Sequence, residues 1–245
     1  MTQAQGLKLI CTASDSSCAF QVLSERLMHG SPVEIQPLSV IGQPDRSCIV
    51  KNYLKLYGKS LDESSFNNQM LLMITKKDSG NPLYLRLACD FLRRYASFEN
   101  FMSMLQSLPS AMSLLLQEII LQMENEFGSI LLQTTLILLC ITKEGLDDAD
   151  LHLLLSMVLL EKEKGTLLSY KSAIDQIAKL KPDNMLSQVT YCSLVHTICS
   201  FAYGHNRFKK FTLIGSEFEK AVQKFYLNKN YLNFSKSMHC TLAGK

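Results

Sequence analysis

The stretch Asp78 to Arg94 (Asp-Ser-Gly-Asn-Pro-Leu-Tyr-Leu-Arg-Leu-Ala-Cys-Asp-Phe-Leu-Arg-Arg) restricts what this chain can fold into more than any other. It reads as a helix stop followed at once by a helix start. Glycine enters left-handed backbone without a Cβ clash and so commonly follows a helix end; one helix is expected to stop at Gly80. Asn81 can accept from the N–H groups of the next first turn. Pro82 fits the first helical position, where an N–H would have no partner. Beyond it Leu85, Ala88, Cys89 and Leu92 recur at helical spacing on one face. A corner of this kind packs one helix against its neighbours.

Helical periodicity extends on both sides of the corner. Asp45 is expected to cap a helix carrying Ile49, Tyr53, Leu54 and Tyr57 that stops at Gly58. Further helices are expected over Leu61 to Lys77, Leu83 to Arg94, Glu99 to Leu108 and Ser110 to Phe127. Gly128 marks a boundary. Ser129 to Thr142 is apolar nearly all round and should lie inside a core. Asp148 to Met157, Leu167 to Leu180 and Ser187 to Phe201 follow as helices. Tyr203 to Ile214 alternates around a Gly-His-Asn turn as a β-hairpin, and Ser216 to Leu227 is a last helix. Three helices and then a hairpin is the order of a winged-helix module. Only the start differs. Leu7 to Thr12 and Val33 to Leu38 read as strands flanking a helix at Ser17 to His29, a βαβ unit that favours parallel pairing. Two strands alone do not make a stable sheet, and their edges would invite aggregation.

The expected fold class is therefore mainly α: a remnant of a parallel α/β sheet over residues 1–44, a helical domain over 45–109, a winged-helix domain over 110–227 and a loose tail over 228–245. With 245 residues, 47% of them hydrophobic, the chain can bury a substantial core. The net charge of +3 is too small to argue for nucleic acid or an acidic membrane. The eight cysteines form no C-x-x-C pair and sit mostly in apolar helical patterns, as reduced thiols of a cytoplasmic protein would. Met1 to Gly6 lacks the basic and apolar regions of a signal peptide. The apolar run Ile130 to Ile141 falls short of the ~20 residues that span a bilayer.

A search for chemistry yields little. The sequence contains no G-x-x-x-x-G-K-[ST] phosphate loop, no G-x-S-x-G elbow and no H-E-x-x-H. Cys192, His196 and Cys199 share a helix face and could offer three metal ligands. A fourth ligand is missing, and small cysteines are common in cores. His205, Arg207, Lys209 and Lys210 form a small basic cluster on the expected wing, which could touch phosphates but is the size of an ordinary solvated face. Asp147, Asp148 and Asp150 precede a helix, where the positive end of its dipole explains them without catalysis.

Gly80-Asn81-Pro82-Leu83-Tyr84-Leu85, followed by Asp90-Phe91-Leu92-Arg93, resembles the G-x-P-L helical segment of STAND NTPases with NACHT-type nucleotide-binding domains. Other pieces agree in order. Ile49-Val50 to Tyr53-Leu54 and Tyr57-Gly58-Lys59-Ser60-Leu61 are similar to the segment before that motif. Leu105 to Pro109, then Gly145-Leu146 with Leu151, resembles the start of the family's winged helix. Phe218 to Leu227 resembles the helix that leaves it. The resemblance runs from about Leu7 to Leu227 and points to the nephrocystin-like, tetratricopeptide-repeat group.

The resemblance implies roles. Pro82 would sit beside the adenine, and Thr12 would be a sensor position at the end of the penultimate sheet strand. The winged-helix histidine that reaches the ADP phosphate in the family would fall at Gly215, and the loop Thr12 to Asp15 has no arginine. The family's phosphate loop and Mg²⁺-holding strand would lie upstream of Met1, so both positions would be vestigial here. ATP or ADP is implied only for a longer parent, and no cofactor is expected. The chain is expected to be a truncated, non-catalytic back half of such a switch. It would act as a scaffold that binds protein partners, with no membrane and little prospect of nucleic acid. A winged-helix nucleic-acid-binding protein is the alternative. A complete enzyme is argued against by the lack of a convergent nucleophile, base and anion hole.

Overall fold

A computed structural model describes residues 10–15, 17–27, 35–142, 144–164, 185–205, 210–213 and 216–226; the side chains of 26–27, 160–164, 202–205 and 216 are outside that description. The chain divides into two compact units, Met1–Val40 and Ile41–Lys245. It is mainly helical.

In the first unit one helix, α1 (Cys18–Leu27), forms where a helix was expected. The Ser17 hydroxyl accepts the Phe20 N–H at 3.1 Å and caps its start. The flanking strands do not appear among the described residues: Ile10 to Thr12 and Ile35 to Leu38 have no regular backbone structure. Residues 7–9 and 33–34 lie outside the described residues. Alternating apolar residues specify which face a strand would bury; a neighbouring strand must still take up its N–H and C=O groups. Ile10 and Leu38 accordingly stand open to solvent, each 93% exposed.

The second unit is built on α2 (Gln43–Lys55), α3 (Gln69–Ile74), α4 (Pro82–Tyr95), α5 (Phe101–Ser107), α6 (Met112–Phe127), α7 (Ser129–Ile141), α8 (Asp148–Lys164), α9 (Gln188–Ala202) and α10 (Ser216–Tyr226), with strands β1 (Tyr203–His205) and β2 (Phe211–Leu213) between the last two. The helices expected from Ser110, Ser129, Ser187 and Ser216 form within two residues of their expected bounds, whereas the one expected over Asp148 to Met157 runs on to Lys164. The helix of Leu167 to Leu180 and the tail over 228–245 lie outside the described residues. One apolar core holds the unit together, from Val50 on α2 through Leu85 and Leu87 on α4, Ile119 on α6 and Leu136 on α7 to Leu194 on α9 and Val222 on α10. Helix α4 buries Tyr84, Leu85, Leu87, Ala88, Cys89, Phe91 and Leu92 and packs on α2, α5, α6 and α9.

The chain departs from expectation before the corner. The helix expected over Leu61 to Lys77 is only α3, six residues long. Leu61 to Asn68 is a loop tied by Asp62, whose carboxylate takes the Ser64 N–H at 2.8 Å, the Ser64 hydroxyl at 2.9 Å and the Asn67 amide at 3.0 Å. These polar side chains satisfy the backbone locally and displace the helix there. These bonds also hold the Asp62 carboxyl below its ordinary pKa, the Ser64 backbone N–H contributing most. Gly80 is not the helix stop either. The last turn ends at Thr75, and among the described residues the glycines with positive φ are Gly58, Gly128 and Gly145. Asn81 and Pro82 behave as expected: Asn81 Oδ1 accepts the Leu83 N–H at 2.9 Å and Pro82 opens α4.

Strands β1 and β2 pair antiparallel, Tyr203 with Leu213, Gly204 with Thr212 and His205 with Phe211. On its other edge Phe211 exchanges two bonds with Leu146, Leu146 N to Phe211 O at 3.0 Å and Phe211 N to Leu146 O at 2.8 Å. Gly145 permits this approach. Its φ is +80°, and a Cβ there would lie 2.5 Å from the Phe211 carbonyl oxygen.

Candidate functional site

The corner before α4 is stapled from three directions. The Arg46 guanidinium on α2 donates from Nε to Ile41 O at 2.7 Å and from Nη1 to Ile74 O at 3.0 Å and Ser79 Oγ at 2.8 Å. Ser79 is fully buried, and its hydroxyl donates to the carbonyls of Ile74 and Lys76. Asp78 carries the first turn of α6, since its Oδ2 accepts the Met112 N–H at 2.7 Å and its own N–H donates to Ser110 O at 3.0 Å. Lys76 closes the end of α5 by donating to the carbonyls of Gln106, at 3.1 Å, and Leu108, at 2.8 Å. Burial lowers the Lys76 pKa. The Tyr84 hydroxyl donates to Pro109 O at 2.6 Å.

A turn and a half further along α4 is a buried carboxylate, Asp90. It accepts the Tyr53 hydroxyl from α2, faces Arg93 Nη2 at 3.2 Å and has Arg86 Nε at 3.8 Å. The Arg93 guanidinium also lies over the Tyr57 ring, 4.2 Å from its centre. Burial, then the bonds to Tyr57 and Asp90, raise the Tyr53 pKa, so this hydroxyl keeps its proton and acts as donor. At the end of α4, Arg94 reaches Glu126 on α6 at 2.7 Å and the Thr197 hydroxyl on α9. Tyr95 stacks parallel on Phe201, ring centres 6.3 Å apart.

The two positions expected to face a nucleotide are both exposed. Pro82 stands at the start of α4 in the second unit, and Thr12 lies in irregular backbone in the first. A recess of about 500 Å³ is lined by Arg94, Tyr95, Gln122, Asn125 and Glu126, and a crevice of about 10 Å³ lies among Leu139, Leu151, Ile198 and Phe211. Pro82 and Thr12 line neither.

Cys192 and His196 face solvent, Cys199 is half-buried, and among the described residues no group of three His, Cys, Asp or Glu side chains is placed to hold a metal. Of the basic cluster, Lys210 stands 3.9 Å from Asp147; the side chains of His205, Arg207 and Lys209 lie outside the described residues. Asp148 and Asp150 open α8, and Asp148 accepts the Tyr191 hydroxyl at its carbonyl, 2.9 Å, and carboxylate, 2.7 Å. The solvent face of α9 consists of Gln188, Val189, Cys192, Ser193 and His196, with no Lys or Arg. No helix among the described residues is long and apolar enough to cross a membrane.

Sequence reasoning missed both groups, Arg46 with Ser79 and Tyr53 with Asp90. The available signal was Asp90 itself, a charge on the apolar side of a helix whose neighbours Ala88, Cys89, Phe91 and Leu92 all point to a core.

No protein-family model matches the chain, and no solved structure matches it. Curated proteins do, among them two forms of one protein. Telomerase protein component 1 of Mus musculus is 37% identical over 156 residues, 63% of this chain and 6% of that protein. Telomerase protein component 1 of Rattus norvegicus is 34% identical over 193 residues, 78% of this chain and 7% of that protein. The chain is thus similar to a short stretch of each, spanning 6% to 7% of their length.

Proposed function

We propose that this chain is a non-catalytic protein-interaction module, a scaffold segment of a STAND-type regulatory protein in which a helical layer shares its core with a winged helix. The order α7, Leu146, α8, α9, β1, β2 supports the winged-helix reading. So does the strand arrangement, in which Phe211 pairs with Leu146 on one side and with His205 on the other. On that reading α9 is the helix that DNA-binding relatives lay in the major groove.

The observation that carries the interaction role is the solvent face of α9. Binding to nucleic acid draws on Lys and Arg opposite phosphates. Gln188, Val189, Cys192, Ser193 and His196 offer neither, and Val189 is 80% exposed. A surface depleted in charge with an apolar centre suits another protein. The relatives' printed name, a protein component of telomerase, supports membership of an assembly. Free thiols at Cys11, Cys18, Cys48, Cys89, Cys140, Cys192 and Cys199 support a reducing compartment, the cytoplasm.

The test is retention of purified telomerase by the immobilised chain, compared with retention by Val189→Glu. Retention by the native chain and loss in the variant supports the α9 face as the contact. Equal retention removes that face from the proposal. The nucleic-acid alternative, favoured by the winged-helix order alone, predicts a salt-sensitive shift of duplex DNA at low ionic strength; we expect none. Pro82 has no phosphate loop in this sequence to work with. Isothermal titration with ATP is therefore expected to show no micromolar affinity, and a measurable one would overturn the non-catalytic reading.

A further inference from the structure

The end of α2 is an exposed turn with charge of one sign around an apolar centre. From Arg46 to Leu61 the sequence holds four cations, Arg46, Lys51, Lys55 and Lys59, and no carboxylate. Arg46 is taken up at the corner, and Lys51 by Glu63 at 2.7 Å. Lys55 and Lys59 are exposed and form no ion pair among the described residues. Between them Leu56 is 76% exposed and Tyr57 44%. Backbone bonds close the turn. Leu54 O accepts from both Tyr57 N and Lys59 N, each at 3.0 Å, and Gly58 reverses the chain with a φ of +65°. Arg93 on α4 extends this surface. Its guanidinium lies over the Tyr57 ring and faces Asp90, a carboxylate that also has Arg86 nearby. One carboxylate between two guanidinium groups leaves one positive charge in excess.

We propose that the turn Lys55 to Lys59, together with Arg93, docks an acidic segment of a partner protein in which carboxylates flank an apolar side chain. The apolar side chain covers Leu56, and the carboxylates meet Lys55, Lys59 and the outer edge of the Arg93 fork. Arg93 is exposed, yet the Tyr57 stack and the Asp90 contact fix its plane, so an incoming carboxylate meets a group already ordered. The aliphatic centre decides between possible anions. Phosphates of a nucleic acid would engage the lysines and leave Leu56 uncovered. A lipid surface is held by a long apolar helix face, and here one leucine stands alone. An apolar centre with a charged rim is the anatomy of a protein contact. This face shares no residue with the solvent face of α9, and neither proposal depends on the other.

The probe is a fluorescein-labelled peptide that repeats Glu-Leu-Glu. Its anisotropy is expected to rise on addition of the full chain and to fall back as salt is added. Exchanging Glu for Gln in the peptide should weaken binding about tenfold, and exchanging Leu for Ser about fivefold. Neither control needs a variant of the chain. Lys55→Glu combined with Lys59→Glu should match the first loss and Leu56→Ser the second, all at exposed positions. Val189→Glu should bind the peptide as the native chain does, which separates this face from that of α9. No rise in anisotropy, or equal binding of the peptide carrying Ser for Leu, would overturn the proposal. Tighter binding of polyuridylate or of phosphatidylserine vesicles, lost in the double lysine variant and kept in Leu56→Ser, would overturn it in favour of nucleic acid or lipid.

Discussion

The Tyr53 hydroxyl lies 2.8 Å from both carboxylate oxygens of Asp90, a residue only 2% exposed. This contact locks α2 to α4 across the core and holds a charge where water cannot reach it. Removing the carboxylate takes the shared acceptor from every donor of the group, which costs more than one bond contributes. Asp90→Ala takes the acceptor from the Tyr53 hydroxyl and from the partly exposed Arg93 and is expected to cost about 2 kcal/mol. Tyr53→Phe removes one donor and leaves the carboxylate its Arg93 contact, so about 1 kcal/mol is expected. Urea unfolding of the two variants checks the order; equal losses would mean that Asp90 is not the centre of the group.

Gly145 and Gly58 separate backbone strain from crowding. Both have positive φ, +80° and +65°, but a Cβ at Gly58 would meet nothing within 4 Å, whereas at Gly145 it would strike the Phe211 carbonyl. Gly58→Ala is expected to cost about 1 kcal/mol, from conformation alone. Gly145→Ala should cost about 3 kcal/mol, because it adds the loss of the Leu146–Phe211 bonds to that strain. Thermal unfolding measures both. Equal shifts in midpoint would show that the hairpin is not held through Gly145.

The helical part of this fold could be read from the sequence because its signals are local. Apolar spacing on α4, the Asn81 cap, Pro82 and the left-handed Gly128 each act within one turn, and each is where expected. The errors came from local side-chain bonds that outcompete a helix and from pairing that depends on a second segment. Leu61 to Asn68 has helical spacing but surrenders its backbone to Asp62, Ser64 and Asn67. Leu7 to Thr12 reads as a buried strand and Val33 to Leu38 alternates like one, yet pairing is a property of two segments and the sequence of one segment does not supply it. The site residues were harder still. Arg46 meets Ser79 across 33 positions and Arg94 meets Thr197 across 103, and no periodicity connects such pairs.

Arg46 fastens the start of the second unit to the corner, and its fork geometry is what does so. It serves the carbonyls of Ile41 and Ile74 and the hydroxyl of Ser79 with two nitrogens, while Ile41 N donates to Gly80 O at 3.4 Å. Arg46→Ala is expected to cost about 2 kcal/mol, and to raise hydrogen exchange at Ile41 and over Lys76 to Asn81 more than elsewhere. Lysine places one ammonium where two separated donors are required, so Arg46→Lys should recover less than half of the loss. Full recovery by lysine would show that charge, and not the fork, holds the segment.

Alkaline pH should weaken this protein through its buried thiols. Burial pushes Cys89 from an ordinary 9.0 up to about 12, with the Asp90 charge adding to it. Burial raises Cys140 to about 12, helped by Glu219, and Cys199 to about 11. The unfolded chain releases these protons near pH 9, whereas the folded chain keeps them, so between pH 9 and about 11 to 12 the unfolded state binds fewer protons. Their stabilising contribution is complete below pH 9 and is lost as pH rises through that window. The urea midpoint is therefore expected to fall between pH 8 and pH 10, and Cys89→Ala should flatten the fall. The same burial predicts a labelling order at pH 8: the exposed thiols of Cys11, Cys18, Cys48 and Cys192 react with a maleimide before Cys89 does. A midpoint that does not change with pH, together with Cys89 labelling as fast as Cys48, would mean that the face of α4 around Cys89 is open to water.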